Sequence, residues 1–211
     1  PYLLHRKNTN RSFPTSSTGK YTNSSTYVSA SDSMSGVECI YMKTPGSSSY
    51  GNMGPSTTVS SSGMNGLYSF YAKDKAGNTS RTYFLYLDTV KPTGKIKNSN
   101  GTEITGSYTN QTFSYSATDS GSGISYLQYK KPSSSSWLTY TSGTSISASA
   151  ASGTYQFRAV DKAGNISATK SITLDSSKPT MTLYSGDVSV SNGFKSIANY
   201  IKATAARKHI F

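Results

Sequence analysis

Among 211 residues there are one cysteine, two histidines and nine acidic side chains, a thin supply of the groups that catalysis and metal binding use. With Cys39 alone, no intrachain disulfide can form and no cysteine cluster can hold a metal. A single Cys in a strand pattern reads as a small buried hydrophobe. His5 and His209 stand near the two ends, which leaves the interior without an imidazole for a Ser/His/Asp arrangement. No G-x-x-x-x-G-K-S/T phosphate loop is present. The chain is 34% hydrophobic, and no apolar run approaches the roughly 18 residues of a membrane helix. The expectation is a protein that is not an enzyme, carries no cofactor and is not membrane-embedded. The chain opens with Pro1 and shows no secretory signal, so it reads as an internal piece of something longer.

Positive charge is plentiful: 21 Lys and Arg against nine acids give a net charge of +12. That balance favours anionic surfaces. The charges are scattered, however, and the tightest clusters, "HRK" at 5–7 and "ARKH" at 206–209, lie near the ends. Specific nucleic-acid binding concentrates basic residues along one face, so a solvated basic surface is the better reading.

The chain is a repeat. "DKAGN" at 74–78 returns at 161–165, an offset of 87, and the same offset recurs without a gap. "YTN" at 21–23 matches 108–110, Asp32 matches Asp119, Tyr50 matches Trp137, Tyr68 matches Tyr155, Phe70 matches Phe157, and "KPT" at 91–93 matches 178–180. Coincidences at one spacing over so long a stretch mark tandem modules. A third copy begins after the second "KPT", where "YIKATA" at 200–205 resembles "FSYSAT" at 113–118. A competing reading makes 194–208 an amphipathic helix with Phe194, Ile197, Ile201 and Ala205 on one side.

Within a module, apolar residues alternate at period two, as half-buried strands require. Phe113, Tyr115 and Ala117 form one such set, matched by Thr26, Val28 and Ala30 in the first copy. Tyr155, Phe157 and Ala159 form another, matched by Tyr68, Phe70 and Ala72. Gly, Ser and Pro turns separate the runs, and helical periodicity is absent from 20 to 180. About seven short strands in 87 residues indicate an all-β sandwich. In one class of such sandwiches a Tyr two residues before the second disulfide Cys bonds back to the chain. Here Tyr68 and Tyr155 would take that place, with Phe70 and Phe157 where the Cys would lie.

The "DKAGN" string is expected to be a hairpin turn. Asp74 and Asp161 would cap it through backbone N–H groups, and Gly77-Asn78 and Gly164-Asn165 would supply positive φ. Calcium takes six to eight oxygens, and no stretch has two acids within five residues. No metal site is assigned, with Asp88 and Asp175 as weak linker candidates that could meet a turn of the next module. Tyr126, Trp137 and Tyr140 are candidates for a ligand-binding face, since Tyr among Ser, Gly and Asn suits adaptable recognition. The competing reading places such aromatics in the core or at a sheet edge. The links "LDTVKPTG" and "LDSSKPTM" are short and contain proline, which makes a semi-rigid rod.

"YTNQTFSYSATDSGSGISYLQYK", a Trp, "GTYQFRAVDKAGNIS" and "LDSSKPT" together resemble the bacterial immunoglobulin-like repeats with a D-x-A-G-N turn, the group 3 and OmpL47-type modules. The resemblance covers nearly all of 21–93 and 108–180, and the first copy departs slightly, with "DSMSG" for "DSGSG". It implies two tandem Ig-like β-sandwich modules at 14–90 and 91–178, after an extension at 1–13, with a truncated or altered third repeat at 179–211. It further implies non-catalytic stalk, spacer or adhesion modules of a secreted or surface-attached bacterial protein. A cell-surface glycan or host protein would be the partner, beside neighbouring modules of the same chain. A carbohydrate-binding accessory module of an extracellular hydrolase and a phage structural module are the alternatives.

Overall fold

The computed structural model describes residues 19–185, 188–190 and 199–204, and no helix occurs among them. The first module runs through β1 (Gly19–Thr22), β2 (Thr26–Ser29), β3 (Val37–Lys43), β4 (Gly51–Asn52), β5 (Ser56–Val59), β6 (Gly66–Asp74) and β7 (Tyr83–Leu87). Its sheets are β1-β7-β6-β3-β4 and β2-β5. The second runs through β8 (Thr93–Asn98), β9 (Tyr108–Thr109), β10 (Phe113–Thr118), β11 (Ile124–Lys130), β12 (Leu138–Tyr140), β13 (Ser145–Ile146), β14 (Gly153–Asp161) and β15 (Lys170–Leu174). Its sheets are β9-β15-β14-β11-β12 and β8-β10-β13. In both modules the larger sheet is antiparallel except at one edge, where β1 runs parallel to β7 and β9 to β15. These are two tandem Ig-like β-sandwiches.

The alternating residues face inward. Phe113, Tyr115, Leu127, Tyr140, Tyr155, Phe157, Ile172 and Leu174 build the second core with Ile96. The first core is smaller: Ile40, Val59, Tyr68, Phe70, Leu85 and Leu87, with Val28 and Ala30 where the second module has Tyr115 and Ala117. Phe157 is fully enclosed and holds the aromatic set together, with ring centroids 5.1 Å from Tyr115, 5.4 Å from Tyr140 and 6.2 Å from Phe113 and Tyr129. A ring with this many aromatic neighbours fills the space between the sheets that a disulfide spans in antibody domains.

The tyrosines two residues earlier bond back to the chain. Tyr68 donates its hydroxyl to the Met64 carbonyl at 2.9 Å, and Tyr155 to the Ala151 carbonyl at 3.0 Å. Each anchors the loop entering its strand. Tyr155→Phe is expected to cost about 1 kcal/mol, the usual net worth of one such bond, with a matching drop in the urea midpoint of the second module.

After the second module, β16 (Thr180–Ser185) pairs antiparallel with β17 (Val188–Val190) and β18 (Asn199–Thr204). The β16–β18 pair takes the place of the β8–β10 pair one module on, with its register slipped by one residue, which makes it the opening of an incomplete third repeat. The helix considered for 194–208 is therefore wrong at 199–204. Those residues complete a ladder whose partner strand, β16, is set by the same repeat. The rest of 194–208 falls outside the described residues.

Candidate metal centre at the module junction

The link between the modules is bonded on both sides. Asp88 follows β7 directly, and its N–H donates to the Thr22 carbonyl at 2.9 Å, extending the β1–β7 edge by one residue. Pro92, four residues on, is buried and fixes φ at the entry to β8. The Asp88 side chain is wholly enclosed. Its Oδ1 accepts the Val90 N–H at 3.0 Å, and its Oδ2 accepts the Ser122 N–H of the second module at 2.5 Å. The Asp88 carbonyl accepts Nδ2 of Asn165, again from the second module, at 2.8 Å.

Two further carboxylates reach the same spot from turns of the second module. Asp161 ends β14 and is buried; its Oδ1 accepts the Asn165 N–H and its Oδ2 accepts Asn165 Nδ2, each at 2.8 Å. Asp119 follows β10, and its Oδ2 accepts the Gly121 N–H at 3.0 Å and the Gly123 N–H at 2.7 Å. Its Oδ1 is sealed from solvent and accepts no hydrogen bond. One oxygen from each of Asp88, Asp119 and Asp161 lies within 4.8 Å of the others. The ion pairs Lys73–Glu38 and Lys95–Glu103 lie elsewhere. Buried carboxylates gathered without a cationic side chain are costly unless protonated or bound to a cation. The all-oxygen donor set and the unsatisfied Asp119 Oδ1 fit a hard divalent cation such as calcium.

Electrostatics separate the two copies of the same turn. Asp32 accepts the Gly36 and Met34 N–H groups through one oxygen in open solvent, and these bonds hold its carboxyl below the ordinary range. Asp119, its counterpart, makes the equivalent bonds, yet burial, with Asp88 and Asp161 adding repulsion, pushes its carboxyl up. Asp74 is held low, chiefly by the Asn78 side chain. The signs follow by linkage. Asp32 and Asp74 contribute stability above the unfolded-state value that is lost as pH falls through their lowered values. Asp119 favours the fold while protonated and opposes it as pH rises through its raised value. Carboxyl-carbon NMR titration without divalent cations is expected to find Asp32 titrating below Asp119.

Gly121 marks the site in the sequence. A side-chain carbon there would collide with both Asp88 carboxylate oxygens. The first copy carries Met34 at this position, 94% exposed. "DSMSG" against "DSGSG" is thus more than a slight departure, because only the second copy must leave room for a preceding linker carboxylate.

Asp175, the other linker candidate, is exposed and accepts the Ser177 N–H at 2.9 Å, closing its own turn. The residue one repeat beyond Asp119 is Ala206, so the second linker lacks that carboxylate. In the first "DKAGN" turn, Asp74 accepts the Asn78 N–H at 2.7 Å and Nδ2 at 2.8 Å. Gly77 and Gly164 have φ of 96° and 94°, whereas neither Asn78 nor Asn165 has positive φ. The asparagines are needed for their amides. Asn165 adds the bond to Asp88, which joins this turn to the other module.

Tyr126, Trp137 and Tyr140 do not converge. Tyr140 is 4% exposed and belongs to the core, accepting the Tyr115 N–H at 2.9 Å. Its placement as a ligand-facing ring is corrected: residue parity on β12 turns it inward. Tyr126 is 47% exposed on the outer face. Trp137 is half-buried under Lys130 and Arg158, whose charges lie 4.9 and 4.2 Å from its ring centroid.

No protein-family model and no curated protein matches the chain. Among solved structures it is similar to the fibronectin(III)-like modules of Clostridium thermocellum CbhA, with 16% identity, 74% of this chain and 87% of that chain covered, and a TM-score of 0.37. It is also similar to SGBP-B of the Bacteroides ovatus mixed-linkage glucan utilization locus, solved in complex with a mixed-linkage heptasaccharide. There the identity is 11%, the coverage 88% of this chain and 55% of that chain, and the TM-score 0.24. The aligned part is about half the length of SGBP-B.

Proposed function

We propose that this chain is a non-catalytic spacer of a secreted or surface-attached bacterial protein, built of modules at 14–90 and 91–178 with a third beginning at 179. The observation that carries this reading is the buried junction. Asp88 is bonded to Ser122 and Asn165 across the module boundary, so the link is pinned at its first residue and at the buried Pro92, and only Thr89, Val90 and Lys91 between them are exposed. A spacer works by fixing the distance and direction between what it joins, and such a link supplies both. Bound at Asp88, Asp119 and Asp161, a divalent cation would offset most of the cluster's negative charge and add ties between the modules.

The test is solution scattering and NMR alignment of the whole chain, with and without millimolar calcium. A single relative orientation of the modules, tightened by calcium, is expected. Modules that tumble independently in both conditions would overturn the spacer reading. Unchanged orientation and no heat on calcium titration would overturn the cation alone. Adhesion to a glycan is a second reading, favoured by the exposed ring of Tyr126. On a glycan array, Tyr126→Ala would then lose the signal that the unchanged chain gives.

A further inference from the structure

The outer face of the second module's larger sheet carries positive charge and no acid. Leu127, Phe157 and Ala159 face the core, so their alternates Tyr126, Gln128, Lys130, Gln156 and Arg158 point away from it. No Asp or Glu occupies an outward position on these five strands. Arg158 stands opposite Gln128 and donates its Nε–H to Gln128 Oε1 at 2.8 Å. Its charge lies 4.2 Å from the centre of the Trp137 ring, and Lys130 approaches the same ring to 4.9 Å. Arg158 is half-buried, and among the described residues no carboxylate pairs with it or with Lys130. The Nε bond fixes the guanidinium plane. Both terminal NH2 groups are left without an acceptor among the described residues.

We propose that this face binds an acidic polysaccharide, with the carboxylate of a sugar residue on Arg158. The inference rests on the glycan reading given above and is independent of the spacer reading. A guanidinium held in plane presents two parallel N–H donors, which match the two oxygens of a carboxylate. On β11, Lys130 lies two residues to one side of Gln128 and Tyr126 two residues to the other. Lys130 adds a second charge. Trp137 and the exposed Tyr126 add apolar ring surface for the C–H faces of sugars. A neutral glycan would leave the half-buried charge of Arg158 without an anion. A nucleic acid is met by a groove of cations that tracks its phosphates. Among the outward strand positions of this sheet the cations are Arg158 and Lys130, a point of charge between rings rather than a track.

The repeat carries half of the site into the first module. Lys43 and Tyr50 hold the positions of Lys130 and Trp137, and the ammonium lies 5.3 Å from the ring centre. Tyr71 and Tyr41 replace Arg158 and Gln128 and stack on each other at 4.9 Å. The lysine–aromatic pair is thus written twice and the guanidinium fork once. A polymer with a carboxylate on every sugar can engage both copies, and the weaker contact then acts as a tethered second event.

The test is calorimetric titration of the whole chain with polygalacturonate, with uncharged dextran and with a single-stranded oligonucleotide. Polygalacturonate should bind, more weakly as salt is added, and the other two should not. Arg158→Gln is expected to weaken binding at least about tenfold, the scale of one charge-assisted pair. Arg158→Lys keeps the charge without the fork and should recover only part of that loss. Lys43→Gln should cost less than Arg158→Gln. Near-ultraviolet circular dichroism of each variant should match that of the unchanged protein. Polygalacturonate binding that Arg158→Gln leaves intact would overturn the site and leave glycan adhesion standing. Equal binding of dextran would overturn the acidic class. An oligonucleotide bound as tightly, and lost with Arg158→Gln, would overturn the choice of a glycan. No binding of polygalacturonate would overturn the inference alone if neutral glycans give a signal on the array, and both readings if none does.

Discussion

Asp119→Asn is expected to raise the melting temperature of the second module in the presence of a chelator and to leave it below the unchanged protein in millimolar calcium. The two halves have separate causes. Without a cation, one of three clustered carboxylates becomes neutral. A pair of unit charges within 4.8 Å of each other repels by at least about 3 kcal/mol at an effective dielectric near 20. No existing bond need be lost. The remaining amide oxygen can still accept from Gly121 and Gly123, and the new NH2 takes the place of Oδ1, which bonds to nothing. Pointed at Asp88 and Asp161, it gives both a donor. A gain of about 1–3 kcal/mol is the scale for satisfying such a group. With calcium, the unchanged protein is stabilised by mass action, about 2.7 kcal/mol at a hundredfold excess over the dissociation constant. The variant forgoes this. Calorimetric melts in the two buffers measure the crossing, and a variant that is less stable than the unchanged protein in chelator would remove the case for a strained cluster.

Phe157→Ala should be the most damaging single change in the core, at about 3–5 kcal/mol for a fully enclosed ring. Phe157 has no exposed surface and lies against four other aromatic rings. Those rings are held by backbone on both sheets and have little room to close the cavity. The counterpart Phe70→Ala should fall near the lower end of that range, because Phe70 already borders an open groove between the sheets of the first module. Chemical denaturation followed by near-ultraviolet circular dichroism would resolve the two. Equal losses would mean that the groove is filled as tightly as the second core.

The alternation of Tyr155, Phe157 and Ala159, and of Ile172 and Leu174, was enough to place β14 and β15 and their inward faces. Period-two patterning is a local property, and so is the Asp–Gly–Asn chemistry of the hairpin between them. The repeat carried this reading to the first copy, where Thr26 and Val28 stand in place of Phe113 and Tyr115. The junction was less legible. Asp88, Asp119 and Asp161 are far apart in sequence, and counting acids within short windows hides a site assembled from a linker and two turns. Met34 in place of Gly121 was the one written trace of it, and it becomes meaningful only once Asp88 is seen to need the space. Tyr140 shows the opposite limit. A polar aromatic near a Trp suggests a surface, but parity on a three-residue strand put it inside.

The parallel edge pair has a mechanical consequence. In the first module β1 lies beside β7 in four registered positions, Gly19–Phe84 to Thr22–Leu87, and both strands run in the same direction. Tension entering through the chain before Gly19 and leaving through Asp88 pulls these neighbours in opposite directions along their length. The bonds between them, including that from Asp88 to Thr22, then share the load together and must break together. An antiparallel edge pulled from the same side would open one bond after another, like a zip. The β9–β15 pair has the same arrangement with two registered positions, Thr173–Tyr108 and Leu174–Thr109. Under a pulling force the array is therefore graded, and the second module should yield before the first.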